Sequence, residues 1–379
     1  LGSGIWVAVS MIGVSAIGMM LFTSRPVGDA MATTIWGTSS SWTLTALPLF
    51  VWMGEILFRT KLSENLFKGL SPWMQKLPGG LIHVNVVGCA LFAAISGSSA
   101  ATVATVGKMS IPELRKRNYP EKILLGSLAG SGTLGLLIPP SIILIIYGVA
   151  VQESIAKLFI AGIIPGIMIA LIFMSYVIIW SLINKKDMPK ILEEYSFLEK
   201  IKRSKQLLPV ILLILGVIGS IYTGIATATE AASLGVVGAL ILSYFQKSLT
   251  LETFKSSLLG ATKTSCMIAF ILAGSTFLSL AMGFTGLPRN LAIWIQNMDL
   301  SPYVLIFVLM IFYIILGMFL DGISAVVLTM AIIEPMIRQA GFDMIWFGIF
   351  LVIVVEMAQI TPPVGFNLFV LQGMANKDM

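Results

Sequence analysis

Residues 130–141 read Gly-Ser-Gly-Thr-Leu-Gly-Leu-Leu-Ile-Pro-Pro-Ser, and residues 356–367 read Glu-Met-Ala-Gln-Ile-Thr-Pro-Pro-Val-Gly-Phe-Asn. Each stretch sits inside a long apolar segment and carries a Pro-Pro pair, Pro139-Pro140 in one and Pro362-Pro363 in the other. Proline has no backbone N–H, and its ring collides with the carbonyl one turn earlier, so a helix must break at either pair. The carbonyls released there are expensive in an apolar medium unless something satisfies them. The two pairs are related by a shift of 223 positions, and the same shift carries Pro112 onto Pro335, Ser98 onto Asp321 and Ala101 onto Ser324. The chain thus reads as two copies of one plan.

Working outward, 57% of the 379 residues are hydrophobic and 11% are charged, against roughly 45–50% and about 25% in soluble domains. A soluble fold of this length needs far more polar surface, so the excess apolar area is expected to face lipid. The same figures exclude collagen-like, disordered, disulfide-framework and nucleic-acid-binding classes. The net charge of +6 comes from Lys and Arg in short loops between apolar runs, which is a topology signal. Cys89 and Cys266 lie in apolar runs far apart and read as small buried hydrophobes. The single histidine, His83, is placed at the interface at the base of the first hairpin, and His-based metal clusters are excluded. The sequence begins at Leu1, so the chain reads as a fragment or the later part of a longer polypeptide.

Apolar stretches at 5–22, 42–58, 123–151, 158–184, 207–223, 230–246, 265–283 and 344–373 predict membrane helices, which need about 20 residues. Two further segments resist that reading. Residues 81–111 are cut by Ser96-Gly97-Ser98-Ser99 and residues 302–336 by Asp321-Gly322, leaving arms too short or uneven to cross singly. Both predict re-entrant helical hairpins with tips at mid-membrane, tolerated only against protein or a water-filled cavity. If so, 19 of the 24 Lys and Arg fall in loops 59–80, 107–122, 185–206 and 247–264, all on one face. The positive-inside rule makes that face cytoplasmic. The two hairpins then open to opposite sides, and the repeat is inverted. Residues 185–206 pattern as an amphipathic linker on the anionic cytoplasmic leaflet.

Inverted repeats with Pro-broken segments at matching positions point to a secondary transporter with a midplane site. Carbonyls around Gly135 to Pro140, with the tip Ser96 to Ser99, offer an oxygen cage for a dehydrated Na⁺. A second cage is expected from carbonyls near Ala358 and Thr361 with the tip at Gly322 and Ser324. Helix N-termini between the tips favour a carboxylate, with hydroxyls from Ser98, Ser99, Thr102 and Ser324. Asp321 reads as an acceptor for substrate hydroxyls or a counter-charge to bound cations, and as a cap of the second arm, roles that are compatible. Glu356 is a functional candidate because it is an intramembrane carboxylate. Glu55 reads as a partner of Arg59 or Lys61, and Glu334 as solvated. A continuous polar path for a channel, or a nucleophile and base for an enzyme, is not visible, and a bare scaffold leaves the mid-membrane serines and prolines unexplained. No catalytic residue is expected.

The motifs Leu47-Pro48-Leu49-Phe50, Leu77-Pro78-Gly79-Gly80, Ser96-Gly97-Ser98-Ser99-Ala100-Ala101-Thr102-Val103-Ala104, Gly132-Thr133-Leu134-Gly135, Ile138-Pro139-Pro140-Ser141, Ala161-Gly162-Ile163-Ile164-Pro165-Gly166 and Thr361-Pro362-Pro363-Val364-Gly365-Phe366-Asn367-Leu368-Phe369 resemble the large membrane subunit of tripartite ATP-independent periplasmic (TRAP) transporters. The resemblance covers nearly the whole chain and looks most like sialic-acid members. It implies an all-α, polytopic, elevator-type importer of an organic acid in the bacterial inner membrane, driven by Na⁺. Its partners would be a small four-helix membrane subunit, separate or fused upstream, and a periplasmic binding protein. A related Na⁺-coupled carboxylate transporter working without a binding protein is the alternative.

By the same resemblance, residues 81–151 and 302–379 form a mobile transport domain, while 1–80, 152–264 and 265–301 form the scaffold. One Na⁺ site would use carbonyls of Ser96, Gly135, Ile138 and Pro140, and the other Gly322, Ala358, Thr361 and Pro363. Ser98 and Asp321 would face substrate. A full-length member is expected to continue past Met379 with one more membrane helix.

Overall fold

The computed structural model describes residues 5–60, 62–189, 195–205, 207–286, 288, 290, 293, 301–363 and 365–375. All regular secondary structure among them is helical. Apolar sequence with few interior breakers favours helix, and in lipid a helix satisfies its own backbone. Among the described residues, four helices are long and apolar enough to cross a membrane singly, Ile155–Ile183, Ala228–Phe245, Leu251–Thr285 and, against the expectation for a hairpin arm, Gly322–Gln339, or up to seven if each bent pair counts as one span. Ile155–Ile183 leaves most of its surface uncovered, with Ile164, Leu171, Tyr176 and Ile183 exposed. A patch of that extent marks contact with lipid or another chain.

The first repeat is built from arms Ile82–Ser96 and Ser99–Lys116, followed by Glu121–Gly132, the single turn Leu134–Leu137 and Ile142–Ala150. The second has arms Pro302–Gly317 and Gly322–Gln339, followed by Met344–Gln359 and Phe366–Ala375. Both therefore show helix, tip, helix, then a helix broken at its Pro-Pro pair, and both Pro-Pro bonds are cis. In the second hairpin the Tyr313 hydroxyl meets Thr329 Oγ1 at 2.6 Å. These residues lie equally far on either side of Asp321, which fixes the arms as antiparallel.

The repeats embrace each other. Ile142–Ala150 packs on the second hairpin arm and on Met344–Gln359, and the Tyr147 hydroxyl donates to the Met344 carbonyl at 2.7 Å. Arg338, ending the second hairpin, donates to the Val151 carbonyl at 3.0 Å. In the mirror relation Phe366–Ala375 packs on Ser99–Lys116, and Arg115 donates to the Ala375 carbonyl at 3.1 Å. Arg115 and Arg338 are themselves related by the 223-residue shift.

Around this pair, the 35-residue helix Leu251–Thr285 contacts Val7–Phe22, Val27–Ser39 and Ala46–Phe58, and Ala46–Phe58 packs on Ala228–Phe245. Leu251–Thr285 also touches the second hairpin arm, where Ser275 Oγ donates to the Val327 carbonyl at 2.6 Å.

Several local expectations are corrected. The helix expected at 265–283 begins at Leu251, because charged Glu252, Lys255 and Lys263 dilute the hydropathy of a continuous helix. Segment 59–80 is not simply a loop but contains the helix Leu62–Met74, and Val27–Ser39 is a helix whose Thr, Gly and Asp content hid it. His83 is fully buried, its Nε2 2.8 Å from the Pro78 carbonyl. Cys89 is buried as expected but Cys266 is exposed. Glu55 pairs with Arg59, which also donates to Ser256, and Glu334 accepts from Arg338 at 2.9 Å. Of linker 185–206, residues 190–194 and 206 lie outside the described residues. The remainder contains a short turn at Lys185–Asp187 and the helix Phe197–Ser204, started by a Ser196–Glu199 capping box.

Candidate substrate and cation site

Each hairpin turns within a few residues, and the caps explain how. Gly97 ends the first arm with φ 59°, a left-handed conformation that glycine adopts without steric cost. Ser98 then caps the second arm, its Oγ accepting from the Ala101 N–H at 3.4 Å. In the second hairpin Asp321 does the same for the Ser324 N–H at 3.1 Å. The expected roles of Asp321 thus include an observed cap.

The first tip lies directly on the first break. A Cβ on Gly97 would come within 2.7 Å of the Pro140 carbonyl oxygen, and one on Gly135 within 2.6 Å of the Ser98 carbonyl oxygen. The Ile142 N–H donates to the Gly97 carbonyl at 3.3 Å. Ser96 Oγ lies 2.8 Å from Thr102 Oγ1, which donates to the Ser98 carbonyl at 2.8 Å. The tip residues Ser96 to Ser99 are therefore packed directly on Gly135 and Pro140, with no room for a side chain at Gly97 or Gly135. Ile138 sits on the same extended turn, with its side chain against Gly166.

The second tip lies against the last turn of Met344–Gln359, just before the second break. Gly322 abuts Gln359 and Val355. The Ala358 side chain abuts Gly317, and its carbonyl accepts from the Thr361 N–H at 3.0 Å. Thr361 Oγ1 donates to the Met357 carbonyl at 2.7 Å. Pro362, Pro363 and Asp321 are exposed, whereas Pro139 and Pro140 are buried.

The two tips meet at Gln359, a residue with no role expected from the sequence. Ser99 Oγ donates to Gln359 Oε1 at 2.8 Å, joining the first tip to the second broken helix. The same Gln359 stands over Gly322 of the second tip, where a Cβ would come within 2.5 Å of Nε2. Ser98, Ser99 and Thr102 thus form one cluster, with Gly322 and Ser324 on the tip opposite and Ser324 buried. Asn367, just past the second break, is fully buried with both amide atoms unpartnered, and both oxygens of buried Glu356 are likewise unpartnered. The shift of 223 contains the missed signal: it aligns Gln359 with Leu136 and Asn367 with Leu144.

An all-helical membrane architecture with two related hairpin-and-break units defines a class of polytopic membrane protein. The chain belongs to the DctM component family of tripartite ATP-independent periplasmic transporters, whose family model matches residues 1–379. It is 33% identical over 94% of its length to a C4-dicarboxylate TRAP transporter large permease of Pseudomonas aeruginosa, spanning 82% of that protein. It is 32% identical to the 2,3-diketo-L-gulonate large permease of Escherichia coli, covering 91% of this chain and 81% of that one. Identity to the sialic acid large permease of Vibrio cholerae is 31%, covering 97% and 86%. These near-equal values support the family and do not single out its sialic-acid members. Among solved structures, the Alcanivorax borkumensis YdaH transporter shares the fold, with a TM-score of 0.65 at 11% identity, covering 98% of this chain and 90% of that one. The named relatives are permeases rather than enzymes.

Proposed function

We propose that this chain is the membrane permease of a Na⁺-coupled importer of a small organic acid. The observation that carries the reading is the seating of the first hairpin's glycine-lined tip on its Pro-Pro break, where the Pro140 and Ser98 carbonyl oxygens lie against Gly97 and Gly135, with the second tip packed on the helix just before Pro362-Pro363. Carbonyls of Ser96, Gly135, Ile138 and Pro140 would hold one Na⁺, and Gly322, Ala358, Thr361 and Pro363 a second. Bound Na⁺ supplies positive charge in a place where the tips themselves offer no Lys or Arg. Ser98, Ser99, Thr102, Asp321 and Ser324 would contact the acid. C4-dicarboxylates lead the substrate candidates by relatedness, with sialic acid and 2,3-diketo-L-gulonate beside them.

In this reading both hairpins are re-entrant, and the two repeats move as one body against the remaining helices. The basic loops face the cytoplasm of a bacterial inner membrane. A small membrane subunit and a periplasmic binding protein complete the system; one relative, the isethionate permease DctMQ of Oleidesulfovibrio alaskensis, is 30% identical to this chain, which spans only 58% of it. The test is uptake into proteoliposomes with a binding protein present. Uptake should require an inward Na⁺ gradient and no nucleotide, and uptake equally driven by K⁺ would reject the coupling.

A further inference from the structure

Two leucines of the first repeat are replaced by carboxamides in the second. Leu136 and Leu144 are buried, so an apolar side chain satisfies the fold at both positions of the plan. Their counterparts are Gln359 and Asn367. Gln359 is 2% exposed and spends its Oε1 on Ser99, leaving its N–H groups on the side of Gly322. Asn367 is 0% exposed, and neither its Nδ2 nor its Oδ1 has a partner. A buried amide with its whole hydrogen-bonding capacity unused is rare and calls for a missing partner.

The mirror relation of the repeats places Asn367. Ile143 lies against Gly322, the first residue of the second hairpin arm, and Val151 is reached by Arg338 at that arm's end. Ile142–Ala150 therefore runs parallel to that arm. Phe366 is the counterpart of Ile143 and Ser99 of Gly322, and Ala375 is reached by Arg115. Phe366–Ala375 packs along Ser99–Lys116 with Met374 near Gly107 and Ala375 reached by Arg115, so its Asn367 end is directed toward the first tip. Gln359 and Asn367 flank one break; Gln359 reaches the first tip through Ser99, and the helix carrying Asn367 packs on the first hairpin's second arm.

We propose that Gln359 and Asn367 are substrate-binding carboxamides that read the oxygen functions of the transported acid. The Gln359 N–H groups donate to a carboxylate, while Asn367 both donates and accepts, which suits an acid carrying a hydroxyl or other second polar group. The acid is thereby gripped between the first repeat's tip and the second repeat's break. The proposal rests on the organic-acid reading above.

The test restores the first repeat's residues. Asn367→Leu and Gln359→Leu are reconstituted beside wild type and assayed with labelled succinate, sialic acid and isethionate, each with a matching binding protein; the acid that wild type imports is the probe. Thermal unfolding with NaCl against KCl is followed in parallel. Asn367→Leu should unfold at or above the wild-type temperature, since it removes an unsatisfied group, and keep any Na⁺ stabilisation. Its KM should rise about tenfold or more, because a site built to hydrogen-bond its ligand discriminates strongly. Gln359→Leu should raise KM similarly. Asn367→Asp, close in shape but anionic, should raise KM further by repulsion, and serves if the leucine variant does not fold. Unchanged KM in Asn367→Leu and Asn367→Asp overturns the proposal, as does a loss of Na⁺ stabilisation with KM intact. Absence of Na⁺ stabilisation in wild type would instead strike the Na⁺ coupling, while the KM comparison still decides the carboxamides.

Discussion

Gly135 has almost no room beside it, and that confinement is specific to the approach of the first tip. A methyl group there meets the Ser98 carbonyl and the Ser99 Cα at 2.6 Å, both of them backbone. Gly135→Ala should therefore push the tip off the break at a cost of about 1–3 kcal/mol, lowering the unfolding temperature and abolishing Na⁺-driven uptake. Gly126→Ala, with nothing within 4 Å, should change neither, and equal effects in the two variants would contradict the seating of tip on break. At this scale the sequence was partly legible. Ser98 and Asp321 stood out because polar caps interrupt apolar runs, and the structure gives both the capping role. Gln359 and Asn367 passed unremarked because a lone carboxamide barely alters the hydropathy of its segment. Only comparison with Leu136 and Leu144 makes them conspicuous.

Elements with uniform hydropathy were readable, and those with mixed faces were not. Ile155–Ile183 was placed within three residues at its start because it is apolar nearly all round. Leu62–Met74 and the first turns of Leu251–Thr285 carry charges on one side and read as loop, although charge is compatible with helix at an interface. The two tips differ as elements as well. Asp321 is exposed and Ser99 buried, so in a Cys89→Ala/Cys266→Ala background Asp321→Cys should react with a water-soluble maleimide much faster than Ser99→Cys. Equal labelling rates would show that the second tip is no more open than the first. The capping box at Ser196 offers a separate check: Ser196→Ala should cost about 1 kcal/mol of local helix stability, seen as faster amide exchange in Phe197–Ser204 with uptake unaffected.

For the whole molecule, the testable matter is relative movement. The contact between Ser275 and Val327 joins the long helix Leu251–Thr285 to the second hairpin, across the boundary between what should stay and what should move. Cysteines at Ser275 and Val327 joined by a short bifunctional reagent should stop uptake while leaving the protein folded. Full uptake in the linked protein would mean that the two bodies do not slide past each other. The overall plan was visible in sequence because the Pro-Pro pairs and the tips keep a constant spacing. The mutual packing of the repeats was not visible, since no periodicity within one repeat encodes its contacts with the other.

That mutual packing has a consequence for how the chain comes to exist. Because Ile142–Ala150 packs on the second hairpin and Phe366–Ala375 on the first, the first repeat is incomplete when it leaves the ribosome. The earlier one must wait, partly unclothed, for a counterpart translated more than two hundred residues later. The molecule is in effect a dimer written as a single polypeptide. Its two polypeptides, severed within 185–206 and produced together, should find each other and restore uptake, whereas either one alone should be cleared by membrane proteases.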